Sequence, residues 1–135
     1  MKILIVDDDA SSRTVLHKII SSQPEHQITV ADGGVAAWAL LDDPLRIFDV
    51  VFLDLSMPEM DGFALLQKIR TSAVLRSLEV VLCTGSNDRS TVVRAVQLGV
   101  RHYMVKPVGA GAVRAKLEQL RPAEALLHER GFLKV

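Results

Sequence analysis

Residues 50–62 read VVFLDLSMPEMDG, an apolar run that stops at Asp54 and gives way to turn-forming residues. An apolar run of four residues bounded by turn formers is typical of a strand buried on both faces of a sheet. The end of such a strand lies at the sheet edge where open α/β folds bind their ligands. We therefore interpret Asp54 as a site residue.

Two other strand-like runs end in charged side chains in the same way. Residues 4–6 run into Asp7 and Asp8, and residues 103–105 run into Lys106. If these runs lie side by side with the Asp54 strand in a parallel sheet, three carboxylates and one ammonium group meet at one edge. Asp9, one position further on, is interpreted as an acid of the first helical turn or as a helix-capping acid.

Strand-like runs alternate with stretches of helical periodicity along the chain. Such alternation indicates parallel strands joined by right-handed crossovers, with helices on both faces of the sheet. The first helix is expected to bury Val15, Leu16, Ile19 and Ile20, and Gly99 is expected to close the fourth helix. Strands are predicted over 3–6, 28–31, 50–53, 80–83 and 103–105, and helices over 12–20, 35–41, 63–69, 92–98 and 110–120.

The composition suits one domain that folds without disulfides. The chain has 135 residues and a single cysteine, Cys83, which lies in an apolar run and is expected to be a core residue in a reduced setting. No leader peptide and no apolar stretch near 18 residues is present, so the expectation is a cytoplasmic protein with no membrane association.

The charges balance overall but are unevenly distributed. Sixteen basic residues match sixteen acidic ones, which argues against direct nucleic-acid binding by this chain. Residues 1–78 hold 11 acids and 7 bases, whereas residues 79–135 hold 5 acids and 9 bases. This difference is either ordinary scatter or a basic, partner-facing surface on the C-terminal third.

The last residues look additional to the five strand–helix units. Pro122 can start a short further helix that ends near Gly131. We expect residues 1–121 to form the domain, and residues 122–135 to form a C-terminal helical extension or a linker to an absent output domain.

The clustered acids point to a divalent cation and a phosphoryl group. Three neighbouring carboxylates repel one another unless a cation neutralises them, and hard oxygen ligands favour Mg²⁺, for which Mn²⁺ can substitute. Magnesium held by a few carboxylates usually shares its shell with a phosphate oxygen. Asp54 can then act as the nucleophile that becomes an aspartyl phosphate. Lys106 supplies a cation for the phosphoryl oxygens, and Thr84, at the end of the fourth strand, supplies a hydroxyl.

Over residues 2–121 the chain resembles the receiver (CheY-like) domain of bacterial two-component response regulators. The resemblance rests on four sequence features in the family's order and spacing, namely Val6-Asp7-Asp8, the block 54–62, Thr84, and Lys106-Pro107. It implies a flavodoxin-like, doubly wound α/β fold with a five-stranded parallel sheet in the order 2-1-3-4-5.

The resemblance also implies roles for individual residues. Asp54 accepts a phosphoryl group from the phosphohistidine of a sensor histidine kinase or a phosphotransfer protein. Magnesium is held by the side chains of Asp7, Asp8 and Asp54 and by the backbone carbonyl of Ser56, where some members carry asparagine. The protein is then a phosphorylation-activated switch, which promotes only its own phosphorylation and dephosphorylation and is not otherwise an enzyme.

The family's readout uses a second set of residues. Phosphorylation draws the Thr84 hydroxyl inward and turns Tyr103 from an exposed to a buried position, and the Lys106–Pro107 peptide bond is cis. The surface that reports this change to a downstream partner or output domain includes Asp88–Leu98, Tyr103 and Gly109–Leu120.

Three alternatives remain open from the sequence. Asp7 and Asp9 form a D-x-D pattern, so a magnesium-dependent phosphatase resembling the haloacid dehalogenase superfamily would use Asp7 as its nucleophile. No acid pair follows Lys106, which counts against this. A phosphate-independent receiver-like interaction module is the second alternative. A flavin-binding flavodoxin-like protein is the third, and it lacks a Ser/Thr-rich phosphate loop after the first strand.

Overall fold

The computed structural model describes residues 1–55, 61–85 and 89–121. Five strands and five helices alternate along these ranges, as the periodicity predicts. The strands are β1 (Lys2–Val6), β2 (Gln27–Ala31), β3 (Val50–Leu53), β4 (Glu79–Thr84) and β5 (His102–Val105). The helices are α1 (Ala10–Ser21), α2 (Gly34–Leu41), α3 (Gly62–Thr71), α4 (Arg89–Gln97) and α5 (Ala110–Leu120).

All strand pairs are parallel, and the sheet order is β2-β1-β3-β4-β5. The predicted fold class, strand order and helical layers are therefore confirmed. The predicted C-terminal helical extension, residues 122–135, lies outside the described residues.

The central strands β1, β3 and β4 bury both of their faces, and successive residues enter different cores. Ile3 and Ile5 pack with α1 and α5, whereas Leu4 and Val6 pack with the helices on the other face. This alternation follows from the two-residue period of a strand. It explains why the central strands read as continuous apolar runs rather than as alternating ones.

Helix α1 differs in one respect from the predicted inward face. Leu16 and Ile20 are buried and Ile19 packs partly against the same core, but Val15 is 49% exposed. The prediction that Val15 is buried is wrong, because the face of α1 that contacts the core is narrower than the set of apolar residues in its sequence. Val15 instead lines a surface cavity described below.

Two helix ends behave as the sequence indicates. Asp9 is the N-cap of α1, and its carboxylate accepts hydrogen bonds from the backbone N–H groups of Ser11 and Ser12. Gly99 follows α4 with a φ of 79°, a left-handed conformation that favours glycine over residues with a β-carbon.

Helix α4 is the least deeply packed of the five helices, since Ala95 is its single buried residue. Its C-terminal end is held by the Arg70 guanidinium of α3. Arg70 Nε donates to the Leu98 carbonyl at 2.8 Å, and a terminal nitrogen donates to the Gly99 carbonyl at 3.3 Å. The other terminal nitrogen donates to the Arg76 and Leu78 carbonyls at 2.9 and 2.7 Å.

Within the described ranges, none of the helices has the length and apolar character needed to cross a lipid bilayer.

Candidate functional site

The register of the sheet brings Asp7 and Asp54 together. Val6 of β1 pairs with Leu53 of β3, so the residue that follows each strand leaves the sheet at the same level. The Asp54 backbone N–H donates to the Val6 carbonyl at 3.0 Å, which fixes Asp54 beside the β1 end. The two acids are therefore neighbours across adjacent strands, although 46 residues separate them along the chain.

Lys106 reaches the same edge from β5. Its backbone N–H donates to the Thr84 carbonyl at 2.8 Å, which extends the β4–β5 pairing by one residue. Its Nζ donates to Asp7 Oδ2 at 2.6 Å and lies 3.6 Å from Asp54 Oδ2. Asp7 is thus the closer partner of the ammonium group.

Three carboxylates lie close together at this edge of the sheet. One carboxylate oxygen from each of Asp7, Asp8 and Asp54 lies within 4.8 Å of the others. Asp7 and Asp54 are only 5% and 7% exposed, whereas Asp8 is exposed to solvent. The structure therefore brings three acids and a lysine together at one sheet edge, as the sequence predicts.

The charges at the site shift the pKa of Lys106. Partial burial acts to lower this pKa, but the hydrogen bond to Asp7 and the negative charges of Asp54 and Asp7 outweigh burial and raise it. The lysine is therefore firmly cationic at neutral pH. It balances one of the three carboxylate charges, which leaves a formal excess of two negative charges in a mostly buried cluster.

This donor set fits a hard divalent cation. The available ligand atoms are carboxylate oxygens, which Mg²⁺ and Mn²⁺ prefer to nitrogen or sulfur. The exposed side chain of Asp8 leaves one side of the cluster open to solvent. Magnesium keeps several water molecules in its shell, so an open, acid-rich edge suits it better than a closed cage does.

The remaining predicted site residues lie on β4, on β5, directly after β5 or outside the described residues. Thr84 is the last residue of β4 and is 4% exposed. Tyr103 is half-buried on β5 and packs against the core on the α3–α4 face. The Lys106–Pro107 peptide bond is cis. Ser56 and Asp88, predicted for the metal shell and the reporting surface, lie outside the described residues.

Gly62 is a site residue whose importance the sequence reasoning missed. A β-carbon at this position would overlap the Asp54 carbonyl oxygen and the Leu55 α-carbon. The Gly62 N–H also donates to the Leu55 carbonyl at 2.9 Å, so α3 starts in direct contact with the backbone that carries Asp54. The glycine in the block 54–62 was visible as a turn former, but its close approach to Asp54 depends on tertiary packing.

Two hydrogen bonds that Asp7 accepts were also not predicted. An Arg13 guanidinium nitrogen donates to the Asp7 carbonyl at 2.8 Å, and the Asp9 N–H donates to Asp7 Oδ1 at 2.9 Å. Together they fix the turn from β1 into α1 and leave Asp7 Oδ2 facing Lys106. Arg13 lies in the first turns of the helix that follows the acid pair, and this position in the sequence could have indicated its contact with Asp7.

A cavity of about 320 Å³ opens beside Lys106, between α1 and the segment after β5. Apolar groups of Val15, Leu16, Cys83 and Val108 form much of its lining. Burial raises the pKa of the Cys83 thiol to about 12, so this side chain behaves as the core residue that the sequence predicts and not as a nucleophile.

Comparison with known proteins agrees with this geometry. The family model of the response regulator receiver domain matches residues 3–118. The chain is 31% identical to chemotaxis protein CheY1 of Helicobacter pylori over 118 residues, which cover 87% of this chain and 94% of the relative. It is 35% identical to CheY-3 of Vibrio cholerae over 120 residues, which cover 89% of this chain and 91% of the relative.

Solved structures show the same architecture. The bacteriophytochrome response regulator RtBRR aligns with a TM-score of 0.79 at 30% identity and covers 90% of this chain and 78% of that chain. The chemotaxis response regulator CheY4 of Vibrio cholerae aligns with a TM-score of 0.80 at 22% identity and covers 89% of this chain and 98% of that one. With the acid cluster, the lysine and the sheet order described above, these matches establish that the chain belongs to the response regulator receiver domain family.

Proposed function

We propose that this protein is a phosphorylation-activated signalling switch in which Asp54 is the phosphoacceptor. The donor is the phosphohistidine of a sensor histidine kinase or a phosphotransfer protein. The observation that carries the proposal is the cluster of three carboxylates within 4.8 Å of one another, with Lys106 Nζ between Asp7 and Asp54. Membership of the receiver family supports the same assignment.

The proposed reaction is a transfer of one phosphoryl group between side chains. A carboxylate oxygen of Asp54 attacks the phosphorus atom, a new P–O bond forms, and the P–N bond to the donor imidazole breaks. Lys106 Nζ, which is cationic and 3.6 Å from Asp54 Oδ2, stabilises the charge on the phosphoryl oxygens. Hydrolysis of the resulting acyl phosphate returns Asp54 to a free carboxylate, so the protein promotes its own phosphorylation and dephosphorylation without turning over another substrate.

Magnesium is the proposed cofactor, and manganese can replace it. When bound, the ion neutralises the excess negative charge and coordinates a phosphoryl oxygen. The proposed protein ligands are the side chains of Asp7, Asp8 and Asp54 with the backbone carbonyl of Ser56. The carboxylate part of this set is supported by the clustering of the three side chains, and the Ser56 part rests on the family resemblance alone.

Thr84 and Tyr103 are the proposed switch residues. Thr84 is buried at the end of β4, and its carbonyl bonds to the Lys106 N–H, so it borders the reacting group from the next strand. In the proposed active state its hydroxyl contacts the phosphoryl group and Tyr103 becomes more buried. To shift such a two-state element from 1:99 to 99:1, phosphorylation must favour the active state by about 5.5 kcal/mol.

The proposed output surface comprises Asp88–Leu98, Tyr103 and Gly109–Leu120. Its described part is rich in basic side chains, since residues 89–98 and 109–120 hold four lysines and arginines (Arg89, Arg94, Arg114 and Lys116) and one acid, Glu118. We propose residues 1–121 as the receiver domain, residues 122–135 as a helical extension or linker, and the cytoplasm as the location. No membrane contact and no direct nucleic-acid contact is part of the proposal.

The test is phosphorylation by acetyl phosphate in the presence of magnesium. Wild-type protein and the Asp9→Asn variant are expected to take the label, and Asp54→Asn is expected to lose it. Label on Asp54→Asn but not on Asp7→Asn would instead support the phosphatase-type nucleophile. A wild-type protein that binds no magnesium at millimolar concentrations and takes no label would support the phosphate-independent module.

A further inference from the structure

Helix α4 is held against α3 by contacts of two arginines. Arg70 of α3 bonds to the Leu98 and Gly99 carbonyls at the C-terminal end of α4. Arg94 of α4 places its guanidinium carbon 4.0 Å from the centre of the Phe63 ring, within the range of a cation–π contact. Because Ala95 is the one buried residue of α4, contacts made by its exposed side chains add to its attachment to the rest of the domain.

Phe63 is also tied to the backbone of the phosphoacceptor. It follows Gly62, which packs against the Asp54 carbonyl without room for a β-carbon and donates to the Leu55 carbonyl. A displacement of the Asp54–Leu55 backbone must therefore move Gly62, and with it the neighbouring Phe63 ring. The Phe63 ring is in turn in contact with Arg94 of α4.

We propose that the Arg94–Phe63 contact is a latch that holds α4 in place and couples its position to the state of Asp54. Arg94 and Phe63 are positioning residues in this proposal, since neither touches the reacting atoms. Arg70 holds the C-terminal end of α4, so release of the latch lets the helix pivot about that end. The proposal has two halves. The holding half states that the contact keeps α4 in place, and the coupling half states that it links the position of α4 to the state of Asp54. Only the coupling half rests on the proposed phosphorylation of Asp54.

The proposal also fixes a direction for the coupling. In this structure Lys106 is closer to Asp7 than to Asp54, and the latch is closed. We take the latch to open when Asp54 carries a phosphoryl group. By linkage, a phosphoryl mimic on Asp54 then binds more tightly when the latch is removed.

The holding half is tested by backbone hydrogen exchange on the full chain without phosphodonor. Arg94→Gln and Phe63→Leu are each expected to speed exchange in α4 by roughly 2- to 5-fold, the change that corresponds to an exposed cation–π contact. Exchange in β1 serves as an internal reference, because a general loss of stability would accelerate both elements. The double variant is expected to exchange no faster than Phe63→Leu alone, because Arg94 has no ring to contact once Phe63 is replaced.

Two further variants separate the latch from general effects of substitution. Arg94→Lys keeps a cation that can lie over the ring and is expected to restore part of the protection. Lys68→Gln removes a separate cation–π contact, in which Lys68 Nζ lies 4.9 Å from the Trp38 ring centre, and is expected to leave α4 unchanged. Unchanged α4 exchange in both Arg94→Gln and Phe63→Leu, or additive effects in the double variant, overturns the latch.

The coupling half is tested by titration with beryllofluoride and magnesium, a mimic of the phosphoryl group. Arg94→Gln is expected to bind it roughly 2- to 5-fold more tightly than wild type, with Lys68→Gln unchanged. Equal affinity of wild type and Arg94→Gln, alongside faster α4 exchange, overturns the coupling and leaves the holding contact. No binding by the wild type overturns the proposed function and the coupling together, whereas the exchange result still decides the holding half.

Discussion

Gly62 packs directly onto the backbone of Asp54. A β-carbon on Gly62 would overlap the Asp54 carbonyl oxygen, and this carbonyl belongs to the main chain, so no side-chain rotation can relieve the clash. The start of α3 and the Asp54–Leu55 segment are therefore packed against each other without space for a side chain between them. Substitutions at Gly62 test this relationship directly.

Gly62→Ala is expected to lower the free energy of unfolding by about 1–3 kcal/mol, the usual cost of overpacking a tight site. Urea denaturation measures the loss. Gly111→Ala is the matched control, because Gly111 lies in α5 with nothing within 4 Å of its would-be β-carbon. Gly111→Ala is expected to raise the free energy of unfolding by about 0.5–1 kcal/mol. Equal effects at the two positions would contradict the close packing at Gly62.

Asp8→Asn is expected to weaken Mg²⁺ binding by at least about tenfold, because it removes one carboxylate from the cluster. Asp8 is the cleaner choice than Asp7, whose removal would also break the ion pair with Lys106. Isothermal titration calorimetry with MgCl₂ measures the affinity.

Asp9→Asn is the control for the metal measurement. Asp9 neighbours the cluster in sequence, but its carboxylate caps α1, and asparagine caps helices equally well. Its Mg²⁺ affinity is expected to stay within about twofold of wild type. A large loss in Asp9→Asn, with Asp8→Asn unaffected, would show that the cation site is built from other acids.

Arg70→Gln is expected to lower the free energy of unfolding by at least about 2 kcal/mol, because the arginine donates hydrogen bonds to four backbone carbonyls. Lysine cannot reproduce the planar arrangement of donors, so Arg70→Lys is expected to restore little of this. Arg76→Gln, at an exposed position, is the control and is expected to change stability by less than about 0.5 kcal/mol. Chemical denaturation of the three variants measures these changes in the free energy of unfolding.

Cys83 gives the folded state a specific dependence on alkaline pH. Burial raises the pKa of its thiol from 9.0 to about 12, so above pH 9.0 the unfolded chain releases a proton that the folded chain retains. A raised pKa contributes stability that is present at lower pH and lost as pH rises toward the folded value. Between pH 8 and pH 10.5 this costs about 2 kcal/mol, and Cys83→Ala is expected to remove that part of the loss.

The measurement is urea denaturation of wild type and Cys83→Ala at both pH values. The cavity left by alanine lowers stability at every pH, so only the difference between the two pH values is informative. If both proteins lose the same amount of stability on going to pH 10.5, the buried thiol does not titrate as described. Slow reaction of the folded wild type with thiol reagents is an independent expectation of the same burial.

The strands and the acids of the site could be predicted from the sequence, because each is indicated by a short stretch of neighbouring residues. A strand buried on both faces must be apolar throughout, so residues 50–53 reveal the strand and Asp54 reveals its end. What could not be predicted depends on contacts between distant segments. The close approach of Gly62, the four hydrogen bonds of Arg70 and the exposure of Val15 all follow from how helices settle on the sheet.

The pairing of Val6 with Leu53 carries a consequence for how this protein can fail. Asp7 and Asp54 become neighbours only through that register, and Lys106 joins them from 99 residues beyond Asp7. A slip of β3 by one residue would turn its side chains onto the opposite faces of the sheet and displace Asp54 from the end of β1. Misfolded copies of this chain should thus lack the cluster of carboxylates and lysine, since no fragment or slipped sheet brings Asp7, Asp54 and Lys106 together.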